Sequence, residues 1–312
     1  MRNSQRDPRP ARGGFTLIEL LVAITIIALL LALLIPAISS ARATARTAQV
    51  QAEISRLSSA LADFKAKFGI YPPSSIRLFE TATGWTTSDA DAAREAERLR
   101  SVALIRQLWP QFDFTIDRDI NDNSTTTDVI DLTVGECLAF FLGGVMTYED
   151  DNANNLLDVG EDLNGNGQLD WSPQGFSQNP ANPFHFGGSN RVGPFFEFDI
   201  SRFVDTDATK DGMPEYCDTL PDQVNPYFYF SAYDGQGYLA SEPVAPGPTS
   251  IYLQSSTSPW NQQSFQIISP GADGLYGTGG IYNSDSSSDD LVGPREAERD
   301  NLTNFASGPL AN

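Results

Sequence analysis

Side-chain oxygens gather in a few short stretches of this chain. Asp150-x-Asn152-x-Asn154-x-x-Leu157-Asp158 recurs as Asp162-x-Asn164-x-Asn166-x-x-Leu169-Asp170. Oxygens at alternating positions of a tight loop can converge on one hard cation, and calcium accepts such flexible sets. Glu161 stands at the twelfth position of the first loop, where a bidentate carboxylate is wanted; the second has Pro173 there. The sixth, turn-forming position is Gly167 in the second loop but Asn155 in the first, so neither is a complete EF-hand. Asp205-x-Asp207-x-Thr209-x-Asp211-Gly212, with Glu215 following, is a third oxygen-rich loop. Asp117 to Asn123 is a looser fourth that reads as a surface turn. Calcium is the expected cofactor; solvated Asn/Asp-rich turns are the structural alternative.

Other chemistry finds little footing. His185 is the single histidine, which disfavours His-rich metal sites and Ser-His-Asp catalysis. It lies in Pro183-Phe184-His185-Phe186-Gly187 and reads as a packed surface residue. No spacing selects two of the many carboxylates as a glycosidase pair. The reading is that the chain is not an enzyme. Cys137 and Cys217 are too few for a disulfide-dense scaffold or a four-cysteine zinc site.

The elements that position these groups begin with composition. The 312 residues hold 20 Lys+Arg against 40 Asp+Glu, a net charge of -20, which argues against nucleic acid as a partner. With 40% hydrophobic and 11% aromatic residues the chain can build a core. Residues 1–14 carry four arginines and one aspartate. Phe15 to Ile38 is almost wholly apolar, broken by Thr16, Glu19, Thr25 and Pro36. As a helix it spans about 36 Å, enough to cross a bilayer. Arginines flank only its N-terminal end, so residues 1–14 are expected in the cytoplasm and the rest outside. Glu19 is costly inside a membrane and calls for a partner.

Gly13-Gly14-Phe15-Thr16-Leu17-Ile18-Glu19-Leu20-Leu21-Val22 resembles the class III signal of type IV pilins and type II secretion pseudopilins. The resemblance implies cleavage between Gly14 and Phe15 by a membrane prepilin peptidase, with methylation of the new amine. It also implies that Glu19 pairs with the Phe15 amine of a neighbouring subunit. The domains expected are a cleaved leader at 1–14, a helix at 15–69 with 15–38 in the membrane, and a periplasmic globular domain at 70–312. That domain carries an elaboration at about 74–190.

Val50, Ile54, Leu57, Leu61, Phe64 and Phe68 form one apolar stripe on the helix, with Glu53 among the residues off it. Gly69 is the expected C-cap before Tyr71-Pro72-Pro73. A second helix is expected from Ser88, with Asp89 and Asp91 at its start and Leu99 to Leu108 as its apolar contacts. A third covers Thr133 to Leu142. Phe195–Phe198, Tyr227–Tyr233, Ile251–Leu253 and Phe265–Ile268 read as strands. The fold class is therefore α+β and pilin-like, with an antiparallel sheet and long loops packed on the C-terminal half of the long helix.

Ser269-Pro270-Gly271-Ala272-Asp273-Gly274 resembles the calcium loop of the major type II pseudopilin. The resemblance implies Asp273 as a ligand, with Asp285, Asp289, Asp290 or Asp300 as the later acidic one. This loop is expected to dominate any calcium dependence. A periplasmic domain would permit a Cys137–Cys217 disulfide, though two buried thiols fit equally. The resemblance implies a fibre subunit supporting protein secretion from the bacterial inner membrane. Its partners would be further copies, other pseudopilins, the peptidase and the secretion platform. The alternative is a membrane-anchored calcium-dependent binding protein or adhesin that does not form the main fibre.

Overall fold

A computed structural model describes residues 16–149, 169–205, 212–239, 250–283 and 291–311. Two compact units, residues 1–46 and 47–312, divide the chain. Helix α1, Leu17–Phe68, contributes to both and continues through Pro36. In the first unit every large apolar side chain from Leu17 to Ile38 is exposed. This helix is long and apolar enough to cross a membrane.

In the second unit Val50, Ile54, Leu57, Leu61 and Phe64 of the expected stripe are buried, and Phe68 packs against the same core. Each fully buried side chain of this size contributes about 1.5–3 kcal/mol. The Phe64 ring meets Phe68, Phe141 and Phe195 at centroid separations of 4.5, 5.8 and 5.3 Å. Gly69 ends the helix at φ 86°, its N–H donating to the Lys65 carbonyl at 2.7 Å. A left-handed residue there suits glycine, as the sequence implies.

Strand β1 (Ile76–Phe79) precedes a five-residue helix α2 (Ala82–Thr86) and α3 (Ala92–Leu108). The N-cap of α3 is Asp91, not Ser88: its carboxylate accepts from Ala93 and Arg94 N–H at 3.0 Å each. A carboxylate both caps the amides and faces the positive end of the helix, which a serine hydroxyl does not do with charge. Ile105 and Leu108 are buried, whereas Leu99 is 53% exposed.

Strand β2 (Val129–Leu132) pairs antiparallel with β1 and leads into α4 (Val134–Gly143). Thr133 and Glu136 close a capping box at its start, and all ten residues of α4 are buried. Three antiparallel pairs follow: β3 (Met146–Tyr148) with β4 (Trp171–Pro173), β5 (Phe176–Ser177) with β6 (Arg191–Val192), and β7 (Phe203–Val204) with β8 (Glu215–Tyr216). The last strands are β9 (Phe228–Ser231), β10 (Tyr252–Ser255), β11 (Ser258–Pro259), β12 (Phe265–Ser269), β13 (Gly280–Ile281) and β14 (Leu302–Thr303). One antiparallel sheet has the order β14-β12-β9.

The α+β expectation holds: a long apolar helix is followed by small, mainly antiparallel sheets. Two details differ. The second three-stranded sheet, β11-β10-β13, pairs β10 with β13 in parallel. Phe195–Phe198 forms no strand. Phe195 instead packs on Phe64 and Phe68, while Phe196 and Phe198 pack on Tyr216. The aromatic density there marks core anchors on an irregular segment.

Candidate assembly and metal sites

The cleavage residues Gly14 and Phe15 lie outside the described residues. Glu19 sits in the first turn of α1 and is exposed. Its Oε2 accepts from the Thr16 N–H at 2.9 Å and from Thr16 Oγ1 at 2.7 Å, while the Glu19 N–H donates to Thr16 Oγ1 at 3.3 Å. This is a reciprocal capping box, which satisfies two donors the helix start leaves open. The Thr-x-x-Glu spacing carries that signal in the sequence. Glu19 thus starts the helix besides presenting a carboxylate on its surface.

Glu53 lies fully buried in the domain core, opposite to its expected place off the stripe. Its carboxylate accepts from Arg202 Nη1 at 2.9 Å and Nη2 at 2.5 Å, and from the Tyr227 hydroxyl at 2.8 Å. Arg202 also lies over the Tyr216 ring, 4.4 Å from its centroid. Desolvation pulls the guanidinium pKa down, but its bonds and charge attraction to Glu53 outweigh that and hold it above the ordinary arginine value.

The Gly271–Gly274 loop is built on the segment Gly293–Asp300. Asp300 Oδ2 accepts from the Ala272 and Asp273 N–H groups at 2.6 and 3.1 Å. Glu298 Oε1 accepts from the Thr278 and Gly279 N–H groups at 2.9 and 3.0 Å, and Arg295 Nη2 binds Glu298 Oε2 at 2.8 Å. A Cβ on Gly271 would sit 2.6 Å from the Asp300 carbonyl oxygen, so the close approach requires glycine. Asp273 itself accepts from the Leu275 N–H at 2.8 Å. Partial desolvation, with the Asp300 charge adding to it, holds its carboxyl above the ordinary range. Asp285, Asp289 and Asp290 lie outside the described residues.

Of the candidate ligands in the duplicated loops, Asp170 is among the described residues; Asp150, Asn152, Asn154, Asp158, Glu161, Asp162, Asn164 and Asn166 lie outside them. Strands β3 and β4 bring the two ends of this segment together, and Tyr148 stacks on Trp171 at 4.2 Å. Glu149 and Asp170 are both buried beside that pair, and Glu149 Oε2 accepts from the Asp170 N–H at 3.2 Å. Asp205 follows β7; Asp207 and Asp211 lie outside the described residues. In the fourth loop the Asp119 carboxylate accepts from the Asn123 and Ser124 N–H groups at 3.3 and 2.8 Å, as a self-bonded turn does. Among the described residues no cluster of three or more His, Cys, Asp or Glu side chains is arranged to hold a metal.

Cys137 and Cys217 are buried thiols that are not joined to each other. Burial, with Asp218 and Glu215 nearby, pushes the Cys217 thiol up to about 12. His185 is exposed, with Nδ1 3.1 Å from the Gly187 carbonyl oxygen.

The prokaryotic N-terminal methylation motif matches residues 9–35 of this chain. That stretch covers the arginine-flanked glycines and most of the exposed apolar part of α1. It is the signal of type IV pilins and pseudopilins, and with the helix behind it marks a pilin-like, membrane-associated protein. No curated protein and no solved structure matches the chain.

Proposed function

We propose that the chain is a structural subunit of a type II secretion pseudopilus or related type IV pilus-like fibre, assembling through α1 to support protein secretion. The carrying observation is the methylation motif at residues 9–35 on a helix whose apolar residues from Leu17 to Ile38 are all exposed. A helix apolar all round needs lipid or other helices as its surroundings. Prepilin peptidase cuts between Gly14 and Phe15, and the globular unit faces the periplasm. The Glu19 carboxylate takes the methylated Phe15 amine of a neighbouring copy, converting a buried charge into a register mark. Other pseudopilins and the inner-membrane platform are the remaining partners, and the chain has no enzymatic role.

Calcium belongs to the same proposal. Removing residues 1–14 leaves 16 Lys+Arg against 39 Asp+Glu, and this excess opposes compaction. The duplicated loops at 150–170 spring from a paired hairpin base and carry the regular ligand spacing. At the C-terminal loop, Asp273 takes its acidic partner from Asp285, Asp289, Asp290 or the Oδ1 of Asp300, whose Oδ2 is engaged by the Ala272 and Asp273 amides.

Electron microscopy of cells overproducing the chain with its peptidase tests assembly. Wild type forms fibres. Glu19→Gln retains an oxygen for the Thr16 cap but loses the charge, so it is processed and inserted yet yields few fibres. A normal fibre yield from Glu19→Gln contradicts the pairing. Processed wild type without fibres favours the anchored, non-polymerising binding protein.

A further inference from the structure

Next to α3, Ile70, Tyr71, Tyr233 and Asp234 wall an open cavity of about 300 Å³. A second hollow of about 490 Å³ lies against β1, β2 and the first turns of α3. Arg100 lines both. Its Nη2 donates to the Ser75 carbonyl and hydroxyl oxygens at 3.0 and 3.1 Å, and the guanidinium stands 5.8 Å from the Tyr233 ring centroid. Among the described residues no carboxylate lies within 4.0 Å of Arg100. Its neighbours differ: Arg77 pairs with Asp131 and Glu97, Arg94 with Asp89, and Arg98 with Glu95. The acids that line the two hollows are held by other bases, Asp234 by Lys65 and both Glu97 and Asp131 by Arg77, so among the described residues the Arg100 guanidinium keeps no carboxylate partner and can take a ligand's.

The aromatic wall is held rigidly. Tyr233 and Asp234 have φ of 46° and 55°, two successive non-glycine residues in the left-handed region. Such backbone costs about 1–3 kcal/mol per residue and persists where its surroundings fix it. Here Asp234 Oδ1 binds Lys65 Nζ at 2.5 Å, and that ammonium lies 4.2 Å over the Tyr71 ring. One ion pair therefore ties both tyrosines to α1. Gln107 and Gln236 add amide side chains to the lining.

We propose that this cavity binds a carboxylate borne beside a flat apolar group, with Arg100 taking the carboxylate and Tyr71 and Tyr233 packing the flat group. Both a polypeptide C-terminus ending in an aromatic residue and a free aromatic acid carry this chemistry. The full processed chain in detergent micelles is titrated calorimetrically with N-acetylphenylalanine, its amide, and the tripeptide Ala-Ala-Phe. The acid binds with a Kd near or below about 1 mM and its amide at least about tenfold more weakly. Arg100→Gln abolishes that difference while its melting midpoint stays within a few degrees of wild type. Tighter binding of the tripeptide than of the acetylated residue assigns a polypeptide end, and equal binding a free acid. Equal affinity for acid and amide in the wild type, or no saturation by the acid below about 10 mM, overturns the proposal without any variant. A folded Arg100→Gln that keeps the full preference for the acid overturns it as well.

Discussion

Arg202 reaches Glu53 across 149 positions of chain and holds its buried carboxylate at 2.5 Å. The pair fastens α1 to the segment between β7 and the Asp199 turn, and the Tyr227 hydroxyl, just before β9, donates to the same Glu53 Oε2 that Arg202 Nη1 binds. Breaking a buried pair by removing one partner leaves an uncompensated charge, at about 3–5 kcal/mol. Glu53→Ala is therefore expected to destabilise the globular unit by that amount in denaturant unfolding. Replacing both partners, as Glu53→Met with Arg202→Met, recovers much of the loss, because no charge remains unpaired.

Packing along the same helix gives a second test. Phe64 is fully buried among three rings, and Phe64→Ala costs about 3–5 kcal/mol. Leu29 is 65% exposed in the other unit. Leu29→Ala is expected to leave the melting of the globular unit unchanged, and scanning calorimetry of the two variants checks both outcomes.

The acid limb of stability is set in part by Glu95. Its bonds to Arg98, at 2.8 and 2.7 Å, and to the Asp89 N–H at 2.8 Å hold its carboxyl down to about 2. A depressed folded pKa gives stability that is present above the unfolded value and lost as pH falls towards the folded one. Glu95→Gln therefore melts below wild type above about pH 5, and the two curves converge near about pH 2. A constant gap across that window contradicts the assignment.

The sequence made the local features plain. The 4-3-4-3-4 stripe of α1, Gly69 as its cap, the Thr133 start of α4 and the strands at Phe228 and Phe265 each depend on near neighbours, and each is found. Features that depend on distant partners were hidden. Glu53 sits beside Ile54 on the core face, but its charge made it look like a surface residue until Arg202 and Tyr227 came into view. The aromatics of Phe195–Phe198 suggested a strand, yet no neighbouring edge takes them up. Asp300 and Glu298 organise two glycine loops more than eighteen residues upstream through backbone amides, and backbone partners leave no trace in side-chain spacing. Of the assembly site, the Thr16–Glu19 spacing was visible, although its capping geometry emerged only with the helix start.

The cysteines answer to a thiol count. Both are buried, and the raised Cys217 thiol is a poor nucleophile while the domain is folded. Alkylation of the unreduced protein is expected to be slow when native and to reach two thiols per chain in denaturant. Fewer than two would mean that Cys137 and Cys217 pair.

The central claim is that residues 9–35 act as a prepilin signal in front of an assembling helix, and intact-mass spectrometry of the chain recovered from membranes tests it most directly. The mature protein is expected to begin at Phe15 and to carry one added methyl group on its amine. A mature chain that still holds residues 1–14, or one that begins beyond Ala41 and has lost the apolar helix, would contradict the account.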